Sequence, residues 1–307
     1  MSGGRIPPGG GHRKPGPPQG ETTIVLERVD RIQLAVTDAA EAARAFQEIL
    51  GAEPSREERS DYLNAQRTVL ALGESEVELC APLGAGIVRA HLDRWGPGLL
   101  TAGFSVASVA ALRAHLFAEG IEFAKEGEQT YLEPTETVGM RVVVSPATAS
   151  RRLGLVSHLY EVTNTLVSSW EAAAERYTRL FALDPARFSP ITSERFGYAG
   201  TLTLFDPPGR LDRIELSQVT RPDTAMGRWA ARRGDSLYMC YAETEDVGAI
   251  VRRLTRRGAR FTPRGGDPSV ERDGLWIHPS ALSGLLLGVS RTSAAWEWSG
   301  RPELVVT

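Results

Sequence analysis

The chain repeats itself over a long period, and this constrains its fold more than any single motif does. Val29 to Gly51, VDRIQLAVTDAAEAARAFQEILG, reads as a half-buried strand, a cap, a helix and a stop. Ile32, Leu34 and Val36 alternate with Arg31, Gln33 and Ala35, the period-2 pattern of a strand with one apolar face. Asp38 stands where an N-cap accepts backbone N–H groups, Ala42, Ala43, Phe46, Ile49 and Leu50 follow at helical spacing, and Gly51 ends the run. Trp170 to Ala182, WEAAAERYTRLFA, aligns without a gap on Ala39 to Gly51 at an offset of 131 residues. A second pair, Phe104 to Phe123 and Ala242 to Phe261, aligns at an offset of 138, with Val109/Val247, Leu116/Leu254, Gly120/Gly258 and Phe123/Phe261 in one register. The apolar strands VELCAP from Val77 and IELSQV from Ile214 also correspond. The chain is therefore expected to be a duplicated pair, four units in all.

Each unit is expected to run βαβββ, which makes the predicted fold class α+β. Module 1 runs from about Glu27 to Pro82, with a polar connection rich in Arg and Glu after its helix. Module 2 follows a short helix at Ile87 to Trp95, and its closing strands are expected at Met140 to Val144 and Leu153 to Ser157. Module 3 opens at about Leu159, with its helix at Trp170 to Phe181; module 4 opens at Leu237, with its helix at Val247 to Arg257. Residues 1–22 are expected to be a disordered tail, because Met1 to Gly20 holds seven glycines and five prolines with Ile6 its only apolar side chain besides the initiator. Paired domains are expected over 23–157 and 158–292, and a C-terminal tail over 293–307.

With 307 residues, 42% of them hydrophobic, the chain can bury two domain cores. A net charge of -3 gives no basic face for nucleic acid. No apolar run reaches bilayer length and no signal-peptide core opens the chain, so a cytoplasmic protein without a membrane partner is expected, as monomer or homodimer. Cys80 and Cys240 are too few for a disulfide framework and are read as reduced, buried thiols.

The module order resembles the vicinal oxygen chelate (VOC) superfamily of glyoxalases, bleomycin-resistance proteins, extradiol dioxygenases and methylmalonyl-CoA epimerases. Among these the epimerases look nearest. Their Asp-His-Ile-x-Ile-Ala-Val opening is matched by Asp30-Arg31-Ile32-Gln33-Leu34-Ala35-Val36, and their ELLAPLG-like fourth strand by Glu78-Leu79-Cys80-Ala81-Pro82-Leu83-Gly84. Their ending is matched by Trp276-Ile277-His278-Pro279 and Gly284-Leu285-Leu286-Leu287. The resemblance implies two half-open barrels, modules 1 with 2 and 3 with 4. It also implies one divalent metal per barrel, held by the first and fourth strands and stabilising an enolate or similar oxyanion.

The ligand positions depart from that pattern. First-strand histidines fall on Arg31, Thr101, Val162 and Met239; fourth-strand ligands fall on Glu78, Gly154 or Leu155, Glu215 and Gly288. Only Glu78 and Glu215 are metal-competent, so no cofactor is assigned, with a divalent metal at an unusual position as the alternative. His158 would be a ligand after a shift of four residues, or otherwise a hydrogen-bonded structural residue. Strand parity places Arg213 and Ser217 with Glu215, Tyr241 and Glu243 with Met239, and Tyr160 and Asn164 with Val162. The expected site is thus in the second pair: Glu215 as the catalytic carboxylate, with Arg213, Asn164, Tyr160, Tyr241, Glu243 and His158 around the ligand. In the first pair Arg31 and Glu78 are expected to form an ion pair in place of a metal. Two functions remain open at this point. One is a lyase or isomerase/epimerase acting next to a carbonyl of a small oxygenated metabolite with a carboxylate base. The other is a metal-independent small-molecule binding protein of the bleomycin-resistance type. Trp170, Trp229, Trp296 and Trp298 are expected on helices or the tail, away from the cavity, which favours the enzyme.

Overall fold

The computed structural model describes residues 26–147, 152–264 and 274–306; the Gly/Pro-rich stretch expected as an N-terminal tail lies outside them. The first half contains β1 (Leu26–Ala35), α1 (Ala39–Leu50), β2 (Glu53–Ser60), β3 (Ala65–Leu72), β4 (Ser75–Pro82) and α2 (Ile87–Trp95). It continues with β5 (Gly98–Val106), α3 (Val109–Ala118), β6 (Ala124–Glu126), β7 (Gln129–Leu132) and β8 (Val142–Pro146). The second half repeats the series as β9 (Val156–Leu166), α4 (Trp170–Phe181), β10 (Phe188–Ser193), β11 (Tyr198–Leu204), β12 (Arg213–Val219) and α5 (Ala225–Arg233). It closes with β13 (Ser236–Thr244), α6 (Val247–Arg257), β14 (Phe261–Pro263), β15 (Gly274–Ile277) and β16 (Leu287–Arg291).

These strands form two eight-stranded sheets of identical topology, β2-β3-β4-β1-β5-β8-β7-β6 and β10-β11-β12-β9-β13-β16-β15-β14. The first strands of paired modules run antiparallel (β1 with β5, β9 with β13), and each has its own module's fourth strand parallel on its other side. The fold is α+β, four βαβββ modules in two half-open barrels. No helix among the described residues is long and apolar enough to cross a membrane.

Local chemistry explains the elements. Asp38 caps α1 by accepting the Glu41 N–H at 2.9 Å, and Gly51 ends it in the left-handed region at φ 74°. Ser108, Ser169 and Asp246 cap α3, α4 and α6 in the same way. The apolar faces of these helices do not fill the barrels. With the outward faces of both sheets they form one core that spans the halves, in which Phe46, Phe104, Tyr177 and Phe181 are fully buried. The Phe104 ring from β5 meets Phe181 of α4 and Phe205, with centroids 6.0 and 5.9 Å apart. Backbone bonds cross the same boundary: Gly73 N–H to Leu153 O at 2.9 Å, Glu74 N–H to Ser157 O at 2.8 Å, and Val29 N–H to the Asp212 carboxylate at 2.7 Å. Gly73, at φ 63°, allows this approach, since a Cβ there would strike the Val156 and Ser157 carbonyls.

The structure corrects three expectations. The connection after α1 is the strand β2, whose charged side chains on both faces hide the strand period. Leu153 to Ser157 does not close module 2: β8 at Val142–Pro146 does, and Val156 already begins β9. The segment after β16 packs against the second barrel, with Ala295 and Trp296 buried in its interior cluster.

Candidate functional site in the second barrel

The sheet registers fix which residues of the two barrels correspond. Arg31 lies opposite Glu76 and Gly103, and Glu161 lies opposite Arg213 and Tyr241. Gln33 lies opposite Glu78, and Thr163 opposite Glu215. Arg31 therefore corresponds to Glu161, one residue short of the helix offset, because the second half carries an extra residue between first strand and helix. Both first strands bulge at the preceding residue, Asp30 and Tyr160. The extra residue moves the former ligand position from Val162 to Glu161, with Thr163 next along the same face. Val162 belongs to the core shared between the halves.

In the first barrel, charged side chains converge inside the sheet. Glu78 is fully buried and accepts from Gln33 at 2.8 Å and from Arg31 and Arg67 at 3.1 Å each. Arg31 also pairs with Asp30 at 3.1 Å, and its side chain runs across Gly103, where a Cβ would collide with it. Tyr131, stacked on Tyr62 at 4.1 Å, lies in the same interior, its hydroxyl 3.4 Å from Gln33. Arg31 and Glu78 do form the ion pair expected of them.

In the second barrel the charges at two of these positions are exchanged. Arg213, fully buried, donates from Nε to Glu161 at 2.6 Å, from Nη1 to Ser299 at 2.8 Å, and lies 4.9 Å from the Tyr160 ring centroid. Glu215, the counterpart of Glu78, has a second carboxylate, Glu161, as its neighbour where Glu78 has Arg31. Two hydroxyls also donate to it, Thr163 at 3.2 Å and Ser217. Burial, and next the charge of Glu161, push the Glu215 carboxyl well above the ordinary range, with Ser217 and Arg213 pulling against this. Burial and the Glu161 charge thus favour the protonated form of Glu215.

That acid pair lies on the wall of a cavity of about 760 Å³. Where the first barrel has Arg67 and Val143, the second has Gly200 and Gly288, and a Cβ on Gly288 would run into the Tyr241 ring lying over it. The walls include Leu202, Met239 and Leu286 with the aromatic rings of Phe196, Tyr198, Tyr238, Tyr241, Trp276 and Trp298. Trp276 donates to the Tyr241 hydroxyl at 2.8 Å. Burial raises the Tyr198 and Tyr241 hydroxyls, so both are neutral donors.

Of the residues singled out from sequence, Glu215 and Tyr241 line this cavity. Arg213 and Tyr160 lie behind it, the Tyr160 hydroxyl 3.1 Å from Ser290. Asn164 points from the opposite face of β9, donating to Val138 O at 2.9 Å and lying 3.3 Å from the Tyr177 hydroxyl. Glu243 accepts from Ser293 N–H at 2.7 Å, away from the cavity. His158 is 3.8 Å from Glu243, but burial and the nearby Arg210 lower its pKa to about 3, so the contact is not an ion pair at neutral pH. Sequence reading missed Glu161, Tyr198, Trp276 and Arg264. It also set Trp298 on a tail away from the cavity; Trp298 lines it. Glu161 was one inserted residue away from being found; Trp298 carried no strand signal at all.

Residues 30–137 match the family model described as Glyoxalase/Bleomycin resistance protein/Dioxygenase superfamily. None of the curated proteins matches the chain. Among solved structures, a triple mutant of 4-hydroxymandelate synthase from Streptomyces coelicolor aligns over 92% of this chain and 99% of its own, at 16% identity and a TM-score of 0.65. A xylose isomerase-like TIM barrel/4-hydroxyphenylpyruvate dioxygenase fusion protein aligns over 88% of this chain and 49% of its own, at 13% identity and a TM-score of 0.62. Methylmalonyl-CoA epimerase from Mycobacterium tuberculosis aligns over 42% of this chain and 94% of its own, at 20% identity and a TM-score of 0.38. Residues 30–137 thus carry the pattern of that superfamily, and the likeness of the chain as a whole to these structures is one of fold.

Members of this superfamily often hold a divalent metal, and the residues here do not fit one. The corresponding positions in the second barrel are Glu161 or Thr163, Glu215, Met239 or Tyr241, and Gly288, and Arg213 sits directly on Glu161. A site of this kind needs about three protein ligands, and among the described residues no group of three His, Cys, Asp or Glu side chains is placed to supply them.

Proposed function

We propose that the second barrel binds a small oxygenated carbonyl compound and moves a proton at the carbon beside its carbonyl, a reaction of the isomerase or lyase kind. The observation that carries this reading is the acid pair on the cavity wall, with the Glu215 carboxyl pushed upward and Arg213 compensating the charge of Glu161. Enolisation needs one oxygen to give a proton to the carbonyl oxygen and another to accept one from the neighbouring carbon. Glu215 gives its proton to the substrate oxygen, and Glu161 takes the proton from carbon. The pair then still holds one proton, and the reverse transfer to either face of the enol completes an epimerisation or isomerisation. The Tyr198 and Tyr241 hydroxyls are neutral donors available to the developing oxyanion.

The test is solvent-deuterium incorporation into a panel of hydroxy-ketones and acyl-CoA thioesters, read by mass spectrometry. Wild type should label at least one compound, and Glu215→Gln should keep the fold and lose the labelling. A second reading, a binding protein without turnover, is supported by the aromatic lining, which suits a planar ligand. It would show as binding without labelling in wild type, with Glu215→Gln weakening affinity only a few-fold.

A further inference from the structure

We propose that Arg264 anchors an oxyanion, a carboxylate or a phosphate, carried by the molecule that the second barrel binds. The inference rests on the reading of this cavity as the ligand site and is independent of whether the ligand is turned over. Arg264 follows β14 and lines the cavity. Its guanidinium carbon lies 3.2 Å from the ring centroid of Trp298 and 5.7 Å from that of Trp276. Most arginines around it are committed: Arg213 to Glu161, Arg221 to Asp223, and Arg228 to the Asp223 carbonyl. Arg264 forms no ion pair and no side-chain hydrogen bond among the described residues.

Two acids besides the buried pair line the cavity, Asp223 and Glu297. Asp223 is already held by Arg221, and Glu297, although exposed beside Trp298, makes no ion pair with Arg264. A guanidinium packed over an indole still presents a planar fork of N–H groups, which is the geometry for a bidentate carboxylate or phosphate. The stack supplies part of the desolvation and fixes the side chain in advance, so less ordering remains for the ligand to impose. The positive charge acts on the same chamber as the acid pair, since it opposes the upward shift of both Tyr198 and Tyr241. The ligand class is therefore a planar or aromatic acid whose anionic end meets Arg264 while its carbonyl faces Glu215.

The test uses three probes of one shape, 2-naphthoate, 2-naphthyl phosphate and the neutral 2-naphthamide, titrated calorimetrically into the full-length protein. Wild type should bind one of the anions at least roughly tenfold tighter than the amide, the scale of a charge-assisted hydrogen bond. The tighter of the two anions identifies the headgroup. Arg264→Gln should erase the preference with its thermal melt unchanged, Arg264→Lys should retain part of it, and Trp298→Leu should reduce it several-fold. Glu215→Gln should preserve it, which separates failure of the proton-transfer reading from failure of this one. Equal affinity for anion and amide in wild type, an undiminished preference in Arg264→Gln, or no binding by any probe overturns the proposal.

Discussion

Glu78 and Glu215 occupy the same position in two barrels of the same topology, and their surroundings are opposite. Two guanidiniums and an amide converge on Glu78, whereas Glu215 faces another carboxylate and two hydroxyls. The difference comes from few changes. Arg31 and Glu76 in one half stand where Glu161 and Arg213 stand in the other, and Arg67 and Val143 stand where Gly200 and Gly288 do. Exchanging an ion pair's polarity preserves the charge balance of a buried site but changes the neighbour that the third group meets. The first barrel surrounds its carboxylate with cationic and amide donors. The second sets its carboxylate against another acid, which favours the protonated form, and leaves a chamber beside it.

The largest effect should come from Arg213→Met, which leaves Glu161 buried without its cation. A loss of about 3–5 kcal/mol in denaturant unfolding is expected. Adding Glu161→Gln should recover at least about 1.5 kcal/mol, the non-additivity of residues in one network. Recovery of nothing would show that Arg213 acts through packing rather than charge. Glu78→Ala should cost somewhat less, about 3 kcal/mol, because Asp30 and Glu58 still pair with Arg31 and Arg67. Glu215→Gln should stay within about 1 kcal/mol of wild type, since an amide resembles the protonated acid it replaces. Equal costs for Glu78→Ala and Glu215→Gln would erase the contrast between the barrels.

Gly288→Val copies the first barrel's residue into the second and displaces the Tyr241 ring. It should cost about 1–3 kcal/mol and abolish probe binding. The reverse change, Val143→Gly, should not create a binding site, because Arg31, Arg67 and Tyr131 still lie inside the first barrel. The smallest effect is a slope with pH. A carboxyl raised in the fold binds a proton that the unfolded chain has released, so its contribution is full below about 4.5 and declines as pH rises toward the folded value. Wild type should therefore lose stability relative to Glu215→Gln above that pH, by at most about 1.4 kcal/mol per pH unit. Asp212, raised to about 6, declines in both proteins and cancels in the comparison. A flat difference between pH 5 and 8 would mean that Glu215 is not the proton carrier.

Much of this fold was legible because it rests on periodicity and caps. The helix at Trp170–Phe181 and the one at Val247–Arg257 fall where the repeat placed them. The charged edge strand β2 was not legible, since its burial comes only from its neighbours. Glu215 and Tyr241 were reachable by counting alternate residues along β12 and β13. Glu161 was not, because one extra residue between β9 and α4 reverses parity for everything counted back from the helix. Trp298 and Arg264 were beyond reach for a different reason. They come from a turn-rich segment and from the end of a three-residue strand, where no period exists and tertiary packing alone decides position.

The core shared between the halves has a consequence for how such a chain can change. Its outward faces are tied to one another: Phe104 cannot alter without Phe181 and Phe205 answering, and α1 cannot shift without α6. The inward faces have no such obligation, since each interior cluster is confined to its own half. Duplication under those rules gives two workshops behind one common wall. One could be bricked up around Arg31, Glu78 and Arg67 while the other was refitted around Glu161 and Glu215, and the wall records neither event.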